Sequence, residues 1–101
     1  MPKFVMVTQV EPEAVRSPQT LEELERKVMG SIRSECPQVK WLESYAVLGR
    51  FDYLDIFDAP SMEDAMKVST LIRSHGHAHP EVWPATEWAR FKQLIHAMPA
   101  A

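Results

Sequence analysis

Four apolar residues, Phe4, Val5, Met6 and Val7, follow one another inside the segment 3–10, KFVMVTQV. An unbroken apolar run rich in β-formers predicts a strand covered on both faces. Glu11, Pro12 and Glu13 end it. Leu21, Leu24, Val28 and Ile32 then recur at helical spacing, which predicts a helix over 18–34 with one apolar stripe. Ser17 before Pro18 fits an N-cap with proline in the first turn, Thr20 with Glu23 offers a competing capping box, and Cys36-Pro37 is the stop.

Residues 39–48 read as a second, less regular strand. Gly49-Arg50 makes a tight link to a third strand over 51–57. There Phe51, Tyr53, Asp55 and Phe57 share one face, and Asp52, Leu54, Ile56 and Asp58 the other. Ser61, with Asp64 three residues on, opens a second helix whose inner stripe is Met62, Ala65, Val68 and Ile72. His75-Gly76 fits a glycine C-cap. Residues 77–85 form a fourth strand that Pro80 and Pro84 confine to a sheet edge. Thr86 is the expected cap of a last helix with the stripe Trp88, Phe91, Ile95 and Met98.

The order β-α-β-β-α-β plus a C-terminal helix is the ferredoxin-like α+β arrangement, a four-stranded antiparallel sheet in a single domain over residues 1–101. Its first and third strands should be central, and these are the two with apolar residues on both faces. Two helices cover only one sheet face. The other is expected to carry Phe51, Tyr53 and Phe57 with half of the first strand, an area that rarely stays wet. The chain is therefore expected to associate with itself, sheet against sheet, as in dimeric α/β barrels, enclosing a cleft for a small ligand.

Composition narrows the function classes. Of 101 residues, 46% are hydrophobic and 25% charged, as in folded globular domains. The net charge is −3, and the basic residues are scattered rather than gathered in a stripe, so no nucleic-acid partner is expected. The short apolar run at the start lacks a cleavage site, and no stretch has the length of a membrane span, so the expectation is a cytoplasmic protein without a membrane partner. Cys36 is the single cysteine and reads as a semi-buried small residue.

Three of the four histidines lie within five residues, His75, His77 and His79. In an extended segment alternate side chains point the same way, and neutral imidazoles suit Zn, Cu, Ni or Fe(II). Glu81 continues the alternation. These four residues are the candidate metal ligands for a transition metal. The competing reading is an exposed polar segment. His75 ends a helix, so only His77 and His79 share a face outright. Asp55, between Tyr53 and Phe57, is the candidate acid or base: a carboxyl facing apolar surroundings has its pKa raised unless an Arg or Lys pairs with it. Tyr53, Asp55, Phe57 and Trp83 are the candidate ligand-binding residues of the cleft.

Leu48-Gly49-Arg50-Phe51-Asp52 resembles the Gly-x-Tyr-Asp signature of the GYD-domain family, with Phe51 in place of tyrosine and so without its hydroxyl. The opening residues 1–6 and the closing Pro84-Ala85-Thr86 before a short helix are similar to that family as well. The resemblance implies a ferredoxin-like fold in the dimeric α/β-barrel superfamily. That superfamily holds small monooxygenases, haem-degrading enzymes, isomerases and proteins without known catalysis, so no reaction is implied. In physical terms Gly49 permits the hairpin turn, Phe51 supplies packing area, and Asp52 is placed to bond backbone groups of the turn. The functions left open are metal or small-ligand binding, a non-catalytic assembly module, and a cofactor-free oxygenase of a small organic substrate.

Overall fold

The computed structural model describes residues 1–15, 17–75 and 77–100. The elements run β1 (Lys3–Val10), a short 3-10 turn (Pro12–Val15), α1 (Pro18–Glu35), β2 (Lys40–Ala46), β3 (Tyr53–Asp58), α2 (Met62–Ser74), β4 (Ala78–Ala85) and α3 (Trp88–His96). All strand pairs are antiparallel, in the order β2-β3-β1-β4. The fold is ferredoxin-like, with β1 and β3 central and the proline-bearing β4 at an edge.

The helix starts follow local chemistry. Ser17 accepts the Thr20 backbone N–H at 3.1 Å, with Pro18 in the first turn. That cap wins over the Thr20–Glu23 box, and the Thr20 hydroxyl turns to the Ser17 hydroxyl instead. Ser61 accepts from Asp64 N–H and donates to the Asp64 carboxylate. Thr86 does not cap α3: the N-cap is Glu87, whose side chain reaches Lys3 Nζ at 3.7 Å rather than closing the helix end. Gly76, the expected cap of α2, lies outside the described residues.

Phe4, Phe57 and Trp41 are cross-strand neighbours on three adjacent strands. Phe4 stacks on Phe57 at 5.6 Å between ring centroids, and Trp41 on Phe57 at 5.2 Å. With Met6, Ile32, Cys36, Ala65, Val68 and Ile72 they form the core between the sheet and the helices. Full burial of each large side chain contributes about 1.5–3 kcal/mol, and each aromatic pair about 0.5–1.5 kcal/mol more.

This core reverses the face expected for β3. Tyr53, Asp55 and Phe57 point at the helices, and Phe57 is completely buried. The opposite face carries Val5 and Val7 of β1, Leu54 and Ile56 of β3, and Trp83 of β4, with Val7 itself buried. Phe51 lies outside β3, because the hairpin loop extends to Asp52, and packs edge-on against Trp83 at 6.4 Å. A bulge between Trp41 and Glu43 shifts the alternation of β2, so that Trp41 and Ser44 both share the helix side with Phe57 and Asp55.

Candidate functional site

The helix-facing side of the sheet is graded in size. At one end Phe4, Phe57 and Trp41 fill the space under the helices. At the other the cross-strand rows are Met6–Asp55–Ser44 and Thr8–Tyr53–Ala46, which carry less bulk. Above these rows stand Leu21, Leu24, Val28 and Met29 of α1. Space that small side chains leave under a helix remains as a void unless the backbone collapses into it. Here it forms a cavity of about 440 Å³, with Glu25 and Arg33 of α1 also in its wall.

Polar side chains of the sheet line this largely apolar space, Thr8, Ser44, Tyr53 and Asp55 among them. Thr8 is buried. Tyr53 contributes its ring and phenol, whose pKa is raised mainly by burial. Asp55 ends a short hydrogen-bond chain: Trp41 Nε1–H donates to Ser44 Oγ at 2.8 Å, and the Ser44 hydroxyl donates to Asp55 Oδ1 at 2.6 Å. Burial pushes the Asp55 carboxyl above its ordinary value, opposed by the bonds from Ser44 and Trp41. No Arg or Lys forms an ion pair with it among the described residues. Asp55 is thus a carboxyl lining a largely apolar space, suited to bind a polar handle on an otherwise apolar molecule.

The four cleft residues expected from the sequence are only partly brought together. Tyr53 and Asp55 line the cavity, Phe57 lies in the core beside it, and Trp83 belongs to the opposite sheet face. The cavity lies between the sheet and α1 of one chain, not between two sheets. Ser44, Thr8 and the α1 residues were missed by sequence reasoning. The bulge after Trp41, which has no sequence signature of its own, is what turns Ser44 toward Asp55.

The histidine segment is also divided. His75 Nε2 meets Ser31 Oγ at 3.0 Å, tying the end of α2 to α1. His77 and His79 stay near each other because both approach Glu11, at 3.7 Å from His77 Nδ1 to Oε2 and 2.8 Å from His79 Nε2 to Oε1. The bond from His79 is the main cause that lowers the Glu11 carboxyl below its ordinary value. His77 adopts φ 70°, the left-handed region that a non-glycine residue occupies at some cost. Glu81 takes the Trp83 indole N–H at 3.3 Å and does not join the histidines. Glu13 does: its carboxylate, that of Glu11 and the His77 imidazole place ligand atoms within 4.8 Å of one another. Glu11 and Glu13 follow β1, and β1 pairs with β4, so topology rather than sequence proximity brings them to the histidines.

Cys36 is buried, and burial raises its thiol pKa, which makes it a packing residue. No helix among the described residues is long and apolar enough to cross a membrane.

Among solved structures, the chain is similar to FFRP-DM1, with a TM-score of 0.57 and 19% identity, over 85% of this chain and 100% of that one. It is similar to the leucine response regulatory protein LrpA of Mycobacterium tuberculosis, with a TM-score of 0.55 and 10% identity, over 85% of this chain and 51% of that one. A third is the hypothetical protein ORF119 of Sulfolobus islandicus rod-shaped virus 1, at 0.51 and 13%, over 96% of this chain and 78% of that one. Identities this low speak to the fold alone. No curated protein matches the sequence. The family model that matches, over residues 4–95, is that of the GYD domain.

Proposed function

This chain belongs to the GYD domain family, and on that premise we propose that it is a small-molecule binding module whose site is the cavity between α1 and the sheet. The observation that carries the reading is Asp55: a carboxyl set in an apolar chamber of about 440 Å³ and held at the end of the Trp41–Ser44 chain. That volume falls within the range of small-ligand sites. The ligand that fits is a largely apolar organic molecule, about the size of two fused rings, with one hydroxyl, amine or carbonyl directed at Asp55 and Tyr53. A neutral Asp55 donates to a carbonyl, and an ionised one accepts from a hydroxyl or amine.

The test is titration with the neutral fluorescent probe N-phenyl-1-naphthylamine. Saturable binding at one probe per chain is expected. Val28→Trp, which fills the chamber from α1, should abolish it, and Trp83→Ala, on the other sheet face, should leave it intact. Retention of wild-type binding by Val28→Trp would place the ligand elsewhere.

A second reading, compatible with the first, is that the chain assembles with itself through the uncovered sheet face. Its support is the partly exposed apolar set Val5, Leu54, Ile56 and Trp83, with Trp83 45% exposed. Such a surface is more often an interface than a wet face.

A further inference from the structure

We infer that Glu11, Glu13 and His77 form a binding site for a divalent first-row transition metal, with Zn²⁺ the first choice, and that His79 positions Glu11 within it. The site is separate from the cavity under α1. It also differs from the run of three histidines that the sequence singles out, since His75 and Glu81 take no part.

The argument starts from two chain segments far apart in sequence. Glu11 and Glu13 leave the end of β1, and His77 and His79 lie at the entry to β4. The backbone bond from Glu11 N–H to the His77 carbonyl, 2.7 Å, fixes one segment against the other. The donor atoms of Glu11, Glu13 and His77 then fall within 4.8 Å of one another. Zinc–nitrogen and zinc–oxygen bonds are about 2.0–2.2 Å long, so ligands on one ion lie at most about twice that apart. The 4.8 Å within which these atoms lie is close to that limit, and small side-chain rotations bring them onto one ion.

The hydrogen bonding sorts the roles. Glu11 Oε1 is taken by His79 Nε2–H at 2.8 Å. Oε2 is left toward His77 Nδ1, 3.7 Å away, too long for a hydrogen bond and bridged naturally by an ion between them. His79 thus holds a ligating carboxylate in place, the usual task of a group bonded to a metal ligand. One imidazole with two carboxylates excludes metals that demand thiolate, and the imidazole favours Zn²⁺, Co²⁺ or Ni²⁺ over Mg²⁺ and Ca²⁺. The remaining coordination positions belong to water.

The experiment is calorimetric titration of the full, untagged chain with ZnCl₂, with Co²⁺ absorption as a second readout of the ligand environment. One Zn²⁺ per chain is expected. Glu11→Gln and His77→Ala should each weaken the dissociation constant at least tenfold and alter the cobalt bands. His79→Ala should weaken it by about tenfold, in line with loss of a group that orients a ligand. His75→Ala and Glu81→Gln should stay within twofold of wild type. Absence of saturable binding by the wild type overturns the inference. So do wild-type affinity in both Glu11→Gln and His77→Ala, and a loss in His75→Ala as large as in His77→Ala.

Discussion

The Asp52 carboxylate accepts the backbone N–H of Val10 at 2.8 Å, joining the β2–β3 hairpin to the exit of the central strand β1. The same residue donates its own N–H to the Thr8 carbonyl at 2.9 Å and accepts the Val47 N–H at 2.9 Å through its carbonyl. From sequence, Asp52 was expected to bond its own turn. Instead it continues the β1–β3 contact beyond the last paired residues. A charge-assisted bond at an exposed position contributes about 1 kcal/mol. Asp52→Ala should therefore lower stability in urea by about that amount, and Asp52→Asn, which keeps an acceptor, by less. Equal stability of wild type and Asp52→Ala would mean that water replaces the carboxylate without loss.

Gly49 gives the second prediction for the hairpin. Its φ is 134°, a conformation that L side chains rarely adopt, and a Cβ placed there would touch nothing within 4 Å. Backbone strain is thus the sole cost of a side chain. Gly49→Ala should destabilise by about 1–2 kcal/mol, read as a lower urea midpoint with an unchanged slope. A neutral result would show that the loop relaxes to another conformation.

Much of this architecture was legible in the pattern of apolar residues. The β1 run predicted a central strand, Pro80 and Pro84 predicted an edge, and the stripes of α1 and α2 predicted which helix faces turn inward, except at Met62, which is 53% exposed. The orientation of β3 was not legible, because both its faces carry two large apolar side chains: Tyr53 and Phe57 on one, Leu54 and Ile56 on the other. Only the stacking of Phe57 between Phe4 and Trp41 decides between them. For the same reason Asp55, expected on the cleft face, lies on the helix side of the sheet, where Ser44 rather than an Arg or Lys meets it. The histidine segment is arranged differently from strand alternation: His75 meets Ser31 and Glu81 meets Trp83, whereas strand pairing brings Glu11 and Glu13 to His77.

The cavity carboxyl predicts a pH dependence. Burial raises the Asp55 pKa in the folded chain above its unfolded value, so folding favours the protonated form. Below the unfolded pKa, near 3.9, the carboxyl is neutral in both states and carries no penalty. As pH rises from there through the folded pKa, the unfolded chain ionises first and stability falls. Asp55→Asn removes this titration. The difference in melting temperature, Asp55→Asn minus wild type, should therefore increase from pH 3 to pH 7. A constant difference would show that Ser44 and Trp41 fully offset the burial of the charge.

Self-association makes the last prediction, and α3 is the element that exposes it. Its sequence is amphipathic, yet it buries none of its residues against its own chain. Trp88 is 67% exposed, Phe91 44%, Leu94 52% and Ile95 44%. A nine-residue helix is too short to be stable in water by propensity alone, and helices of this length are held by packing of an apolar face. Within the helix Trp88 packs against Phe91, 5.6 Å between ring centroids. Burial against a second copy would supply the rest, in continuity with the sheet face that carries Trp83 near the same end of β4. Sedimentation of the full chain should therefore give at least a dimer. A chain ending at Thr86 should keep its β-sheet signal in circular dichroism and lose mass in sedimentation, and Ile56→Glu should do the same from the sheet side. If Ile56→Glu dissociates the assembly while the shortened chain does not, the sheet face is the interface and α3 lies outside it. If neither changes the mass, both surfaces are free of partner contacts and the assembly reading is wrong.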